Sequence, residues 1–483
     1  MDVIVVGAGS AGSVVCRRLV DAGAEVTLLE AGGPDTNAAI HDPSRAAELW
    51  HSAEDWDYYT VPQSHAADRR LHLPRGKVLG GSHSLNAMIW VRGAAADYDG
   101  WKLPGWTWDD VRPVYERIET DLLDLERHEP LQPIQRSILD SAQEIGLPYN
   151  ENYNDGVLDG ISVQQVTMSG GRRRNAWLCY AQPVASRMTV HTGALVHRVL
   201  VEGDRCVGVL AEIGGRVERL SADTVVLAAG ALASPAILLR SGIGPSGALA
   251  ESGVEVVVDL PGVGENLHDH LLSPVIFATD RREVEPPQSG RSVTQTHLFW
   301  RSRPGLDVPD TQPIHFSVPM YEPWMTGPAT GFSLMAGMIA PRSRGTLRLR
   351  STDPLEPPLI DLAALAHPAD FESLVASVEQ CRRIGRAPAL VEEWGARELY
   401  PGPADVREYV RRTAITYHHQ VGTCRMGTDA LAVTDPELRV HGVSGLRVAD
   451  ASVLPRVISG NTNAPAVLMG ERVAEFLAHE GRR

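Results

Sequence analysis

Six residues near the start of the chain, Gly7-Ala8-Gly9-Ser10-Ala11-Gly12, constrain its fold more than any other segment. The β-branched run Val3 to Val6 precedes them, too short for a helix and suited to a buried parallel strand. Ser13 to Ala22 follows as a helix with Val14, Val15 and Leu19 on one side, and Val26 to Leu29 is a second strand closed by Glu30. This is a β-α-β unit. Gly7 lets the chain leave the strand in a tight turn, Gly9 lets the backbone approach a pyrophosphate, and Gly12 lets the helix pack on the strand. The helix start at Ser10 and Ala11 offers free N–H groups and about half a positive charge to phosphates. Glu30, with Ala31 beside it, is placed to hold ribose hydroxyls. The turn by itself fits either FAD or NAD.

The bulk numbers narrow the class. A chain of 483 residues is too long for one small core, so two domains are expected. Apolar content of 43% and charged content of 22% suit a soluble globular enzyme. A net charge of −15 argues against nucleic acid and anionic membrane surfaces as partners. Five cysteines without a C-x-x-C disfavour a disulfide framework, a zinc ribbon and a dithiol centre, and no metal is expected. No apolar run reaches the ~20 residues of a membrane helix. The first strand begins almost at Met1, which leaves no room for a targeting extension and makes the cytoplasm the expected compartment.

Residues 1–270 read mainly as the dinucleotide-binding domain, with a loop-rich covering region over 31–105. Within it, Thr189 to Val201 looks like a strand pair, and Cys206 to Leu220 like a hairpin about Gly214-Gly215. Residues 271–425 read mainly as a second domain. Its segments around Val275–Ala278, Thr296–Trp300, Ile314–Val318, Phe332–Ile339 and Thr346–Leu349 suggest an antiparallel sheet. Residues 426–483 return to the first domain and end in a helix from about Pro465.

Four further runs are distinctive: RGKVLGGSHSLNAMIWVRG from Arg75, GALASPAILLRSGIGP from Gly230, HQVGTCRMG from His419, and ADASVLPRVISGNTNAP from Ala449. In order and spacing they resemble the signatures of the glucose–methanol–choline (GMC) oxidoreductases across essentially the whole chain. The resemblance implies an α/β FAD-binding Rossmann-like domain plus an α+β substrate domain with an antiparallel sheet. It implies FAD-dependent oxidation of an alcohol CH–OH group to the carbonyl, with hydride passing to flavin N5. The partners would be a small-molecule alcohol and oxygen or another electron acceptor.

By the same resemblance, Gly80, Gly81, Ser82, Asn86 and Ala87 lie against the flavin or its diphosphate. Val196 meets adenine through its backbone, and Asp450 with Ala451 lies near the ribityl–phosphate region. Asn463 and Ala464 touch the flavin's pyrimidine edge. Asn463 also suits an N-cap and Pro465 a first turn, so the following helix would aim its positive end at the flavin.

Loss of hydride from an alcohol requires removal of the hydroxyl proton, and a neutral histidine is the natural base. His419 stands where the family carries that base. In an extended segment its neighbour His418 would point elsewhere. The family's partner position falls on Asn461, which can orient the substrate oxygen and cannot take a full proton. The position used for covalent flavin attachment in some members holds Leu85, with His83 two residues away, so non-covalent FAD is expected. Cys424 reads as a packed core thiol.

Substrate-wall candidates come from the second sheet: Trp300, His315 and Phe332 foremost, with His297, Phe299, Phe316, Met320, Tyr321, Trp324 and Met335. Such walls suit an aromatic or modestly apolar primary alcohol. Two alternatives are a choline-type quaternary amine, with Glu322 beside Trp324 as its site, and a non-redox lyase on the same scaffold.

Overall fold

Strands of opposite habit organise the chain into a parallel sheet and an antiparallel one. The computed structural model describes residues 1–121, 123 and 125–480; positions 481–483 of the expected last region lie outside the described residues. The elements that matter here begin with β1 (Asp2–Val6), α1 (Ser10–Asp21), β2 (Glu25–Glu30), α2 (Pro133–Glu144), β3 (Gly160–Val163), β4 (Thr189–Thr192) and β5 (Ala194–Glu202). Next come β6 (Arg205–Ile213), β7 (Arg216–Ser221), β8 (Thr224–Leu227) and α3 (Gly230–Arg240). Beyond them lie β9 (Leu271–Thr279), β10 (Thr294–Phe299), β11 (Ile314–Phe316), β12 (Phe332–Met338) and α4 (Pro368–Gly385). The series ends with β13 (Ala396–Tyr400), β14 (Ile415–Thr416), β15 (Leu446–Val448) and α5 (Asn463–Glu480).

The parallel sheet has the order β4-β2-β1-β8-β15. Its central strand β1 is buried from Val3 to Val6, which explains the unbroken apolar run. α1 starts three residues earlier than its apolar pattern does, at Ser10, and packs along α5. A Cβ on Gly12 would meet the carbonyl oxygen of Gly7 at 1.9 Å, so only glycine lets the helix sit this close to its own turn. The expected strand pair at 189–201 divides between two sheets. β4 joins the parallel sheet beside β2, and β5 opens a three-stranded antiparallel sheet with β6 and β7.

The second sheet runs β13-β9-β12-β11-β10-β3, with β14 pairing to β9. β3 reaches it from well before residue 270, and β15 returns to the parallel sheet from the far end of the chain. The segment Thr346–Arg348 is not part of this sheet; it pairs with Leu359–Asp361 in a separate ladder. Side-chain alternation gives the large sheet two distinct faces. Phe332, Leu334 and Ala336 of β12 face the main core beneath α4, where Phe332 stacks on Phe277 at 4.9 Å. Met335 faces the other way, into a smaller apolar cluster with Leu272, Ile314 and Tyr417.

Candidate active site

Gly9 holds the N-cap position of α1, which has no side-chain cap and no acidic residue in its first turn. Its first N–H groups therefore need an acceptor from outside the helix. Gly7, Gly9, Ser10 and Ala11 line a cavity of about 540 Å³. A Cβ built on Gly9 would meet no atom nearer than Gly81 Cα at 3.9 Å, so the space before the turn belongs to the cavity. Glu30 and Ala31 continue the wall. The buried Glu30 carboxylate accepts from Ala8 N–H at 2.9 Å and Gly32 N–H at 2.8 Å. Burial pushes its pKa up to about 7, against the pull of those two N–H groups and of Lys77.

The second glycine loop adds Gly81, Ser82, Asn86 and Ala87 to the lining. Gly80 lies behind them, where its N–H donates to Ala8 C=O at 2.9 Å and ties the two loops together. Asn86 Oδ1 is fixed by Met88 N–H and Arg173 Nη1, at 3.0 and 2.9 Å. Val196 lines the cavity at a break in the β5–β6 register. Asp450 lines it too, with Ala451 beside it. Its carboxylate accepts from Ser234 Oγ (2.5 Å) and from the N–H groups of Gly230 (2.9 Å) and Ser452 (2.8 Å). It thus sits at the N-terminus of α3, where negative charge is favoured.

Asn463 does not cap α5. Thr462 holds the cap position, because its C=O accepts from Ala466 N–H at 3.2 Å. Asn463 Oδ1 instead accepts from Ser10 Oγ at 2.6 Å, which joins the starts of α1 and α5. Both Thr462 and Asn463 line the cavity, while Ala464 is buried in the core behind them. Three helix N-termini, those of α1, α3 and α5, therefore meet at one cavity. Uncapped donors, an open approach at Gly9 and a buried carboxylate at the end of β2 fit a dinucleotide with a pyrophosphate.

His419 and Asn461 line the far end, with Asn461 Nδ2 at 3.2 Å from His419 Nε2. Behind them Gln312 Nε2 donates to Asn461 Oδ1 at 2.9 Å. That bond turns the Asn461 amide so that its N–H faces the histidine, and Nε2 must then carry the lone pair. The tautomer that matches this amide orientation carries its proton on His419 Nδ1, 3.0 Å from His270 Nδ1. The His419 backbone N–H donates to the buried Asp269 at 2.8 Å, and the Tyr417 ring stacks on the imidazole at 4.6 Å. Burial holds the His419 pKa well below the usual histidine range, with His270, His418 and Arg75 adding to the effect. Burial likewise brings His270 down to about 3.

Some expectations need correction. His418 also touches the cavity, at a left-handed backbone position (φ 67°) and not in an extended strand, but its ring turns to Thr416 Oγ1 at 2.7 Å and to Trp50, away from the His419–Asn461 pair as expected. Trp300, His315 and Phe332 do not line the cavity. Trp300 and Phe332 pack on the main core. His315 turns to Thr296 Oγ1, 2.9 Å away, on the α2 side of the sheet. The opposite face supplies the wall instead, through Ile314 and Phe316 of β11, Met335 of β12, Met320, Leu272 and Ile415. Leu85 lines the cavity, and His83 is fully buried behind it against Thr167 Oγ1 at 2.8 Å. Gln312, His270 and Tyr417 escape a reading of the sequence. Gln312 and His270 each lie 149 residues from the partner they hold, and no spacing marks them.

Residues 1–272 and 341–470 match the two models of the GMC oxidoreductase family, and the chain belongs to that family. An uncharacterized GMC-type oxidoreductase of Mycobacterium tuberculosis is 37% identical over 99% of both chains. An alcohol dehydrogenase [acceptor] of Pseudomonas putida is 33% identical over 99% of this chain and 96% of its own. The crystal structure of pyridoxine 4-oxidase from Mesorbium loti superposes with a TM-score of 0.95 at 31% identity, covering 99% of each chain. The fold is thus an FAD-binding Rossmann-like unit with a substrate domain, and the protein is an FAD-dependent oxidoreductase acting on alcohols. Among the described residues no helix is long and apolar enough to cross a membrane.

The double grip on Glu30 generates a test of the cofactor cleft. Glu30→Gln sets an amide N–H against one of the two backbone donors, at about 1–3 kcal/mol. FAD affinity measured by reconstitution of the apoprotein should fall about tenfold or more; an unchanged affinity would remove Glu30 from the cleft.

Proposed function

We propose that this enzyme oxidises an aromatic or modestly apolar primary alcohol to the aldehyde, with His419 as general base, Asn461 as oxygen-orienting partner and FAD held non-covalently. The observation that carries this reading is the His419–Asn461 pair, 3.2 Å apart and set into an apolar wall at the end of a dinucleotide cleft.

FAD bound in the cleft supplies the hydride acceptor. The chain's own residues do the rest. A hydroxyl entering between Asn461 Nδ2 and His419 Nε2 receives a hydrogen bond from the amide and gives its proton to the imidazole. Gln312 keeps the amide facing inward, and the bond to His270 keeps the His419 lone pair on Nε2. Leu272, Ile314, Phe316, Met320 and Met335 exclude water, which strengthens both polar contacts. Burial opposes a lasting imidazolium, so the proton must leave His419 before the next turnover.

The wall supports an aromatic or apolar substrate over a quaternary amine. Glu322 is paired with Arg69 at 3.1 Å, Trp324 is half exposed, and neither lines the cavity. The similar oxidase of known structure is named for pyridoxine, itself an aromatic alcohol. Leu85 and the inward-turned His83 support non-covalent FAD.

Anaerobic mixing with a panel of alcohols should bleach the flavin band, fastest with aromatic primary alcohols. Product formation without bleaching would show a lyase instead. His419→Ala should slow flavin reduction by roughly 10²–10⁴-fold with FAD still bound, and a near-normal rate would remove His419 as the base. The depressed pKa keeps the base form populated on the acid side, so kcat/KM should stay level down through the ordinary histidine range near pH ~6.5. An acid limb at or above that pH contradicts a buried neutral base. Acid precipitation should leave FAD in the supernatant; flavin retained on the precipitate would show a covalent link.

A further inference from the structure

The loop between Trp50 and Arg75 gathers four metal-ligating side chains beside the alcohol site. His51, Asp55, Asp57 and His72 each offer one ligand atom, and these atoms lie within 4.8 Å of one another. His51 Nδ1 is 2.7 Å from Asp57 Oδ1. His72 Nε2 is 3.0 Å from that same oxygen and 3.3 Å from Asp55 Oδ2. The two imidazole rings stack, with centroids 4.0 Å apart at 24°. His72 Nε2 is shielded from solvent, yet it forms no well-aligned hydrogen bond to either carboxylate. It stands at ion-pair distance from two carboxylate oxygens, and one of them, Asp55 Oδ2, also accepts from the His51 backbone N–H at 3.1 Å.

We propose that His51, Asp55, Asp57 and His72 form a structural site for one divalent first-row transition cation, with Zn2+ as the representative ion. Two imidazole nitrogens and two carboxylate oxygens are a donor set such ions accept, and the two carboxylate charges balance the cation. Donors about 2.0–2.1 Å from a tetrahedral ion are about 3.3 Å apart. The separations of 2.7, 3.0 and 3.3 Å lie at or just below that value, all four ligand atoms lie within 4.8 Å of one another, and the two stacked rings would splay to bring both lone pairs onto one ion. Asp55 is already oriented from behind. Its Oδ1 accepts from the N–H groups of Asp57 (3.0 Å) and Arg75 (2.8 Å), as outer-shell bonds orient metal ligands elsewhere. Four protein donors leave no open position, which fits a structural role and not a catalytic one.

The ion would brace one wall of the flavin cavity. Trp50 and Arg75, at the two ends of the loop, both line it. The Trp50 ring meets His72 and His418 edge-on at 6.2 and 5.1 Å, and Arg75 Nη2 donates to the His418 C=O at 2.6 Å. A cation between His51 and His72 would therefore fix the loop against the segment that carries His419. The sequence predicts no metal because its cysteines form no ligand motif, and these four residues form no familiar spacing either.

The test uses untagged holoenzyme with FAD bound, stripped with a chelator and titrated with Co2+ and then Zn2+. One equivalent of Co2+ per chain should bind, with a tetrahedral visible band beyond the flavin's, and Zn2+ should displace it and raise the thermal midpoint. His51 and Asp57 side chains are 55% and 46% exposed, so H51Q/D57N should keep FAD while metal affinity falls at least about tenfold. Absence of stoichiometric binding, or equal affinity in the double variant, overturns the proposal. If the double variant loses FAD, H51Q alone, read in the same titration, decides between the same two outcomes.

Discussion

Backbone donors left open at the first turn of α1 are the constraint on which the rest depends. A buried parallel strand delivers the chain to Gly7, and the helix that follows has no side chain to accept from its first N–H groups. Such a terminus is stable only when an anion or other acceptor meets it. The starts of α3 and α5 come to the same cavity, the latter clamped to α1 through Ser10 and Asn463. The start of α3 is met by the Asp450 carboxylate, while the starts of α1 and α5 turn their partial positive charges toward the cavity.

The end of the cavity that holds His419 obeys a different rule. His419 lies among groups that disfavour its charged form: a buried position, a neighbouring His270, and Arg75. Only a chain of directional bonds, Gln312 to Asn461 to His419 to His270, decides which nitrogen is free. In a water-poor pocket such bonds are stronger than in solvent, and an error in any one of them is costlier. The residues behind the pair are accordingly buried polar groups, while the cavity wall beside it is apolar.

Much of this is legible in the sequence. The β-α-β unit, the four signatures and the family follow from local patterns, since each glycine and each short strand acts on its neighbours. His419, Asn461, Glu30 and Asp450 follow from motif position, and the structure brings all four to one cavity. The assignment of Trp300, His315 and Phe332 to the wall fails for a definite reason. A period of two says that a strand has two faces, and it does not say which one meets the cleft. Asn463 reads as a cap from its residue type, while the Ser10 hydroxyl, 453 residues away, takes its side-chain oxygen.

The sequence by itself determined that this chain would build a dinucleotide cleft and carry one histidine and one amide to its far end. Those features depend on spacing within short segments, which the chain enforces covalently. The tertiary structure decided which sheet face lines the pocket, which nitrogen of His419 is free, and that His51 and His72 converge with Asp55 and Asp57. Those are matters of direction between side chains, and direction is set only when distant elements pack.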